Sequence, residues 1–309
     1  MNPMKKLFLV AVPVGLAVLA MVFLTSSARE RGDAYEAQLE RARLKRDFSE
    51  RAGAARTIPS DRLPEWRDEI AALSRWYFDE LQAIRNRHPG EPVRPNAVEA
   101  AASDRKSKLD AGARAQLEDF QRFADGRLAL LREGRYAPVQ SMIAEGLRLD
   151  LVAVETGSPP EGGAPGLRID FALWGAPRFL EREKGGERTT VVRSVVPVSF
   201  KRLAFHFIGA DGKPYGEMSG GGEPYQKLAD PERFADDFPP GVLFGTWYVE
   251  LFPREATEVR LEIQADVRGA SGAVRPATFL AQLPVPDGWK LPPGAVFQAE
   301  VREAAAALQ

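Results

Sequence analysis

The chain has two histidines and no cysteine, so imidazole chemistry rests on two residues and thiolate chemistry has none. His88 stands beside Pro89 at the end of a helical pattern. His206 lies between Phe205 and Phe207, so a strand there turns its imidazole away from the apolar face. Neither histidine joins a His/Cys group at metal-ligand spacing. No G-x-S-x-G elbow occurs, so a Ser-His-Asp triad would need residues brought together from distant positions. Without cysteine there is no disulfide, thiolate ligand, cysteine nucleophile or lipidated cysteine. Gly220-Gly221-Gly222 lacks the Lys-Ser/Thr ending and the strand-to-helix setting of a phosphate loop, and reads as a flexible loop. Asp236-Asp237, just before Phe238-Pro239-Pro240, lacks EF-hand spacing and reads as a solvated turn. No cofactor or metal is implied.

Two groups of aromatic residues offer binding instead. Trp174, Trp247, Tyr248 and Trp289 are a candidate platform for a glycan, a peptidoglycan fragment or a lipid. Trp247 and Tyr248 are adjacent on a strand and face opposite ways, so at most one of them serves that platform. Trp66, Trp76, Tyr77 and Phe78 crowd one helix. They form a core stripe with its shoulder, or a docking surface for a protein partner.

The elements that position these residues follow from periodicity. From Arg29 to Arg56 the sequence is rich in Ala, Arg, Glu and Leu and holds no Pro, with Tyr35, Leu39, Leu44 and Phe48 as its large apolar residues. It reads as a polar helix of roughly 40 Å, a stalk or a coiled-coil arm, although its heptad is poor. Thr57 to Pro64 breaks it. Ser60 or Asp61 then caps a second helix with Pro64 in its first turn. Leu63, Trp66, Ile70, Leu73, Tyr77, Leu81 and Ile84 recur at steps of three and four up to His88-Pro89-Gly90. A third stripe, Leu109, Ala113, Leu117, Phe120, Ala124, Leu128 and Leu131, ends at Gly134. The second and third helices make an antiparallel hairpin, and Gln140 to Glu145 offers one further helical turn.

From residue 146 the period becomes two. Leu147, Leu149, Leu151 and Ala153 alternate with Arg148, Asp150 and Val152, a half-buried strand. Leu167 to Leu173, the Val-rich Thr189 to Ser199, and Leu203 to Phe207 follow, with Asp211-Gly212 turning a hairpin. Gly241 to Phe252 and Thr257 to Arg268 read as a second pair, and Ser271-Gly272 turns into Ala273 to Val285. Pro231 to Phe238 offers a short helix, and Ala295 to Leu308 a last strand running into an Ala-rich helix. About seven or eight strands without long intervening helices predict an antiparallel β-sandwich of Ig-like architecture, though without the antibody cysteine pair. The fold class is α+β.

The N-terminus sets the compartment. Lys5 and Lys6 precede 18 uncharged residues, Leu7 to Leu24, enough for a transmembrane signal anchor. Ser26 and Ala28 also offer small-x-small cleavage after Ala28, which would give a secreted protein. Arg29 and Arg31 flank the far side, so the positive-inside count is near even. An N-in orientation is expected from the short leading tail. The expected organisation is a cytoplasmic tail (1–6), the anchor (7–24), a helical stalk and hairpin (29–145), the β-sandwich (146–303) and a tail (304–309). Such a protein sits in a bacterial inner membrane with its bulk in the periplasm. With six residues ahead of the apolar run it has no cytoplasmic domain of its own. A net charge of −1 leaves no basic footprint for nucleic acid.

Three functions remain open. The first is a non-enzymatic envelope scaffold or assembly subunit binding protein partners through the helical region and the β domain. The second is a ligand-binding sandwich. The third is a hydrolase of unfamiliar type. The layout is similar to accessory subunits of bacterial envelope machines, at the level of layout only.

Overall fold

The computed structural model describes residues 35–89, 122–123, 125–158, 165–184, 187–195, 198–221, 224, 226–227, 239–268 and 273–295. The expected tail and anchor, most of the third helix, Asp236-Asp237 with the 231–238 helix, and the C-terminal helix lie outside them. Among the described residues no helix is long and apolar enough to cross a membrane.

The described elements form an α+β fold in three layers. Sheet I has five strands in the order β1 (Gln140–Ala144), β2 (Leu147–Gly157), β3 (Gly166–Trp174), β9 (Val242–Val249) and β8 (Gln226–Lys227). Sheet II has four, in the order β11 (Val274–Pro284), β10 (Glu258–Arg268), β6 (Val198–Ile208) and β7 (Pro214–Gly221). All named pairings in both sheets are antiparallel. A separate ribbon pairs β4 (Pro177–Lys184) with β5 (Glu187–Val195). One core lies between the sheets. Leu149, Leu151, Phe171 and Trp247 from sheet I meet Phe200, Phe205, Ile263 and Phe279 from sheet II.

Helices form the third layer, on the outer face of sheet I. Helix α1 spans residues 35–55, α2 spans Leu63–Arg87, and α3 is described over 122–123 and 125–132. Their core joins Phe48, Trp66, Ile70, Tyr77 and Leu131 to Val152, Ala172, Trp174, Val242 and Phe244 of the sheet. Helix α1 is therefore not a free stalk. Ala37, Leu44, Phe48, Ala52 and Ala55 are buried. Alanines make up much of this stripe, so it looks polar in sequence while letting α1 approach α2 closely. The two run antiparallel. Arg87 of α2 bonds Glu40 of α1 at 2.7 Å, and the Phe48 and Tyr77 rings meet edge to face at 4.9 Å.

Several local expectations are corrected. Residues Ser60–Arg62 form a 3-10 turn, and α2 starts after it without a side-chain cap. Gln140–Ala144 is a strand, not a helical turn, so sheet I begins ahead of the expected boundary at 146. Glu145 (φ 49°) and Gly146 (φ 72°) join β1 to β2 as a two-residue turn with both residues at positive φ. Strands β9 and β10 do not pair with each other. β9 joins sheet I and β10 joins sheet II, with the Pro253–Ala256 turn carrying the chain from one layer to the other. Strand β2 is buried on both faces over its first six residues. Leu147, Leu149 and Leu151 face the sandwich, while Arg148, Asp150 and Val152 face the helices. A register shift between Leu151 and Ala153 then reverses the phase.

Two predictions arise here. Gly166 starts β3 where an added Cβ would lie 2.2 Å from the Val249 carbonyl oxygen. Gly166→Ala must push β3 from β9 and is expected to cost about 1–3 kcal/mol in denaturant unfolding. Glu145 pays for a left-handed conformation that asparagine adopts more readily. Glu145→Asn is expected to gain about 0.5–1 kcal/mol in the same assay. Its exposed contact with Arg275, at 4.0 Å, offsets little of that gain.

Candidate functional site

The densest concentration of polar chemistry lies between the helical layer and sheet I. Its centre is Asp150, fully buried on the helical side of β2. The alternation of β2 puts an acid there, and three side chains from other stretches of chain, with Arg148 of β2 itself, close over it. Trp66 Nε1 of α2 donates to Oδ2 at 2.8 Å, and the Tyr136 hydroxyl donates to the same oxygen at 2.6 Å. Ser141 of β1 donates to Oδ1 at 2.5 Å, and Arg148 Nε stands 3.4 Å from it. The Arg148 contact is an ion pair without hydrogen-bond alignment, since Nε and Nη2 have no hydrogen-bond partner among the described residues. Arg148 Nη1 instead donates to the Ile58 carbonyl in the α1–α2 link. Its guanidinium lies 4.2 Å from the Trp66 ring centroid. Trp174 Nε1 donates to the Tyr136 oxygen at 3.1 Å.

Every neighbour of Asp150 is a donor, an arrangement that matches an acceptor-only carboxylate. Burial pushes the Asp150 carboxyl above its ordinary value. The bonds from Ser141 and Tyr136 and the Arg148 charge pull it partly back. Burial, then the Asp150 charge, holds the Tyr136 phenol well above its usual range, so it stays a proton donor. Burial lowers Arg148. Arg148, Asp150, Tyr136, Trp66 and Trp174 are all buried, so none meets solvent or a diffusing substrate in this conformation. The arrangement binds layers together. It couples α2, the α1–α2 link, the segment after α3, β1, β2 and β3 through one satisfied carboxylate.

A second cluster sits farther along the same face. Asp170 of β3 holds Arg168 at 2.9 Å and Arg127 of α3. Both guanidinium groups lie over the Phe123 ring, with centroid distances of 5.4 and 5.2 Å. Burial, then the Arg168 charge, brings Arg127 down to about 10, so it remains a cation near neutral pH. This cluster fastens α3 to the sheet.

The third lies on the outer face of sheet II. His206 of β6 stands between Glu262 of β10 (3.4 Å) and Glu217 of β7 (3.6 Å), with Arg202 also on Glu217. The histidine does turn from the core, but it is half-buried among carboxylates rather than free in solvent. Its two nitrogens address different acids, so the three do not converge on one point. No group of three or more metal-ligating side chains occurs among the described residues.

The aromatic candidates are placed as follows. Trp66, Tyr77 and Phe78 are buried, while Trp76 is half-buried with the Arg51 guanidinium 4.1 Å above it. An exposed docking surface made by all four is thus corrected. Helix α2 packs against α1, α3 and sheet I, which buries more of its circumference than one stripe. Trp174, Trp247 and Trp289 are not brought together. Trp174 lies under the helices, edge-on to Trp66 at 5.6 Å. Trp247 stacks on Phe171 at 4.0 Å in the sandwich core. Trp289 packs against Phe252 at 6.4 Å beyond β11. They make no shared platform. Sequence reasoning missed Tyr136, Ser141, Arg148 and Asp150. The available signal was a strand carrying Arg and Asp between leucines, opposite a helix with an indole to satisfy.

No protein-family model matches the chain, and comparison with curated proteins and with solved structures finds no significant match.

Proposed function

We propose that this chain is a non-catalytic scaffold subunit of a bacterial envelope, tethered by residues 7–24 with its bulk on the periplasmic side. Its helical layer and its sandwich, the latter of Ig-like architecture, act as one rigid body that holds a protein partner. The observation that carries this reading is the closure of Asp150 by donors from the helices and from sheet I. A scaffold needs fixed geometry between its tether and its binding surface. A buried carboxylate held by donors from several elements favours one arrangement of the layers over its slipped alternatives. Asp150, Arg148 and Tyr136 are committed to that junction. The glycan or lipid reading loses its main support, since Trp174 and Trp247 are core residues.

The test is affinity capture of the full chain from detergent-solubilised membranes. A stoichiometric protein partner is expected, and its absence from repeated captures contradicts the reading. Sequencing the mature N-terminus separates tether from secretion. A membrane fraction carrying residues 7–24 is expected, whereas a soluble product starting at Arg29 overturns the anchor.

A further inference from the structure

We propose that the end of the helical layer where α1 begins rests on the lipid bilayer surface, with Tyr35 and Leu39 as its contact. This inference rests on the tether proposed above. Tyr35 and Leu39 are 41% and 37% exposed and lie one helical turn apart. Along α1 they stand about 140–180° around the helix from Leu44 and Phe48, the residues that face α2. The pair therefore points away from the helical core. Val139, Ile143, Val274 and Leu280, the other exposed large apolar side chains among the described residues, lie on or next to β1 or on β11.

Position along the chain selects the occupant. The apolar run ends at Leu24, so the link to Tyr35 spans at most about 40 Å when extended and about 16 Å when helical. A tethered molecule thus keeps the start of α1 within that reach of the headgroups. A tyrosine and a leucine side by side suit that zone, where a ring can bury its body and leave its hydroxyl wet. The same end carries α2's last turn, because Glu40 of α1 holds Arg87 and stands 3.5 Å from His88. Charges there are mixed, with the Arg87 cation paired to the Glu40 carboxylate. The contact is accordingly apolar and independent of lipid charge.

The chain has no cysteine, so single labels can be placed by substitution. Nitroxides are attached to Tyr35→Cys, Leu39→Cys and, as a control on the outer face of sheet II, Leu280→Cys. Each full chain is reconstituted into phosphatidylcholine vesicles, with and without phosphatidylglycerol, and collisions with oxygen and with a water-soluble nickel chelate are read. The expected result is loss of nickel collision with oxygen collision retained at 35 and 39, in both vesicle types, while 280 stays open to nickel. Nickel access at 35 and 39 in chains that float with the vesicles overturns the proposal and leaves the tether standing. So does loss of both collisions, which means cover by protein, or spin–spin broadening, which means a second copy. Chains that fail to float overturn the tether and this contact together.

Discussion

Asp150→Ala is expected to cost about 3–5 kcal/mol of folding stability, the range for removing one partner of a buried charge pair. The loss is large because the deletion strands what remains. Arg148 becomes an uncompensated cation, fully buried. Trp66 Nε1, the Tyr136 hydroxyl and the Ser141 hydroxyl lose their acceptor together. Ser141→Ala is the control, because it removes one hydrogen bond of three and leaves the carboxylate held by Trp66, Tyr136 and the Arg148 charge. About 1 kcal/mol is expected for it. Urea unfolding of the detergent-solubilised chain, followed by tryptophan fluorescence, measures both. An Asp150→Ala cost near that of Ser141→Ala would mean the network is not the junction described. Acid has a defined sign here. Burial raises the folded-state value of Asp150 above that of the unfolded chain. Its contribution is therefore fully present below the unfolded value and is lost as pH rises through the folded one. Mild acidification should widen the gap between wild type and Asp150→Ala, not narrow it.

Trp66→Ala comes next, at about 3–5 kcal/mol by the same assay. The indole is buried where α2 meets sheet I. It packs edge to face on Trp174, supports the Arg148 guanidinium and donates to Asp150. Trp66→Phe keeps much of the volume and removes the donor, so about 1–3 kcal/mol is expected. Because the two residues share one network, Trp66→Ala with Asp150→Ala should cost less than the two added, by about 0.5–3 kcal/mol. Strict additivity would place them in separate environments, contrary to the 2.8 Å bond between them.

Much of the scaffold was legible in the sequence, for identifiable reasons. The apolar steps from Leu63 to Ile84 mark α2 because burial of a stripe imposes that period. The unbroken alternation from Val259 to Val267 marks β10, one of whose faces closes the sandwich while the other stays polar. Asp211-Gly212 lies in the β6–β7 loop, where Gly212 takes φ 76° and Asp211 Oδ1 accepts from the Lys213 amide at 3.0 Å. What stayed hidden depends on contacts between distant segments. Strand β2 alternates as a one-sided strand does, and only the helices above it turn Arg148 and Asp150 inward. Helix α1 buries alanines, whose small apolar area leaves a weak period. The pairing of β9 with β3 rather than β10 is a choice of topology that local pattern does not encode. Trp66, Trp76, Tyr77 and Phe78 crowd one helix in the sequence. The burial of Trp66, Tyr77, Phe78 and Trp174 follows from the third layer, which no stretch of sequence announces by itself, while Trp247 is buried between the sheets.

The most direct test of the central claim is native-state hydrogen exchange of the detergent-solubilised chain. The proposed scaffold requires helices and sandwich to form one body. Amides of α2 and of β2 and β3 should then open with the same free energy and the same denaturant dependence, and Asp150→Ala should lower both by one amount. Helical amides that open at a lower free energy than the sheet, and that alone respond to Asp150→Ala, would make the helical layer a separate, loosely docked unit and contradict the account.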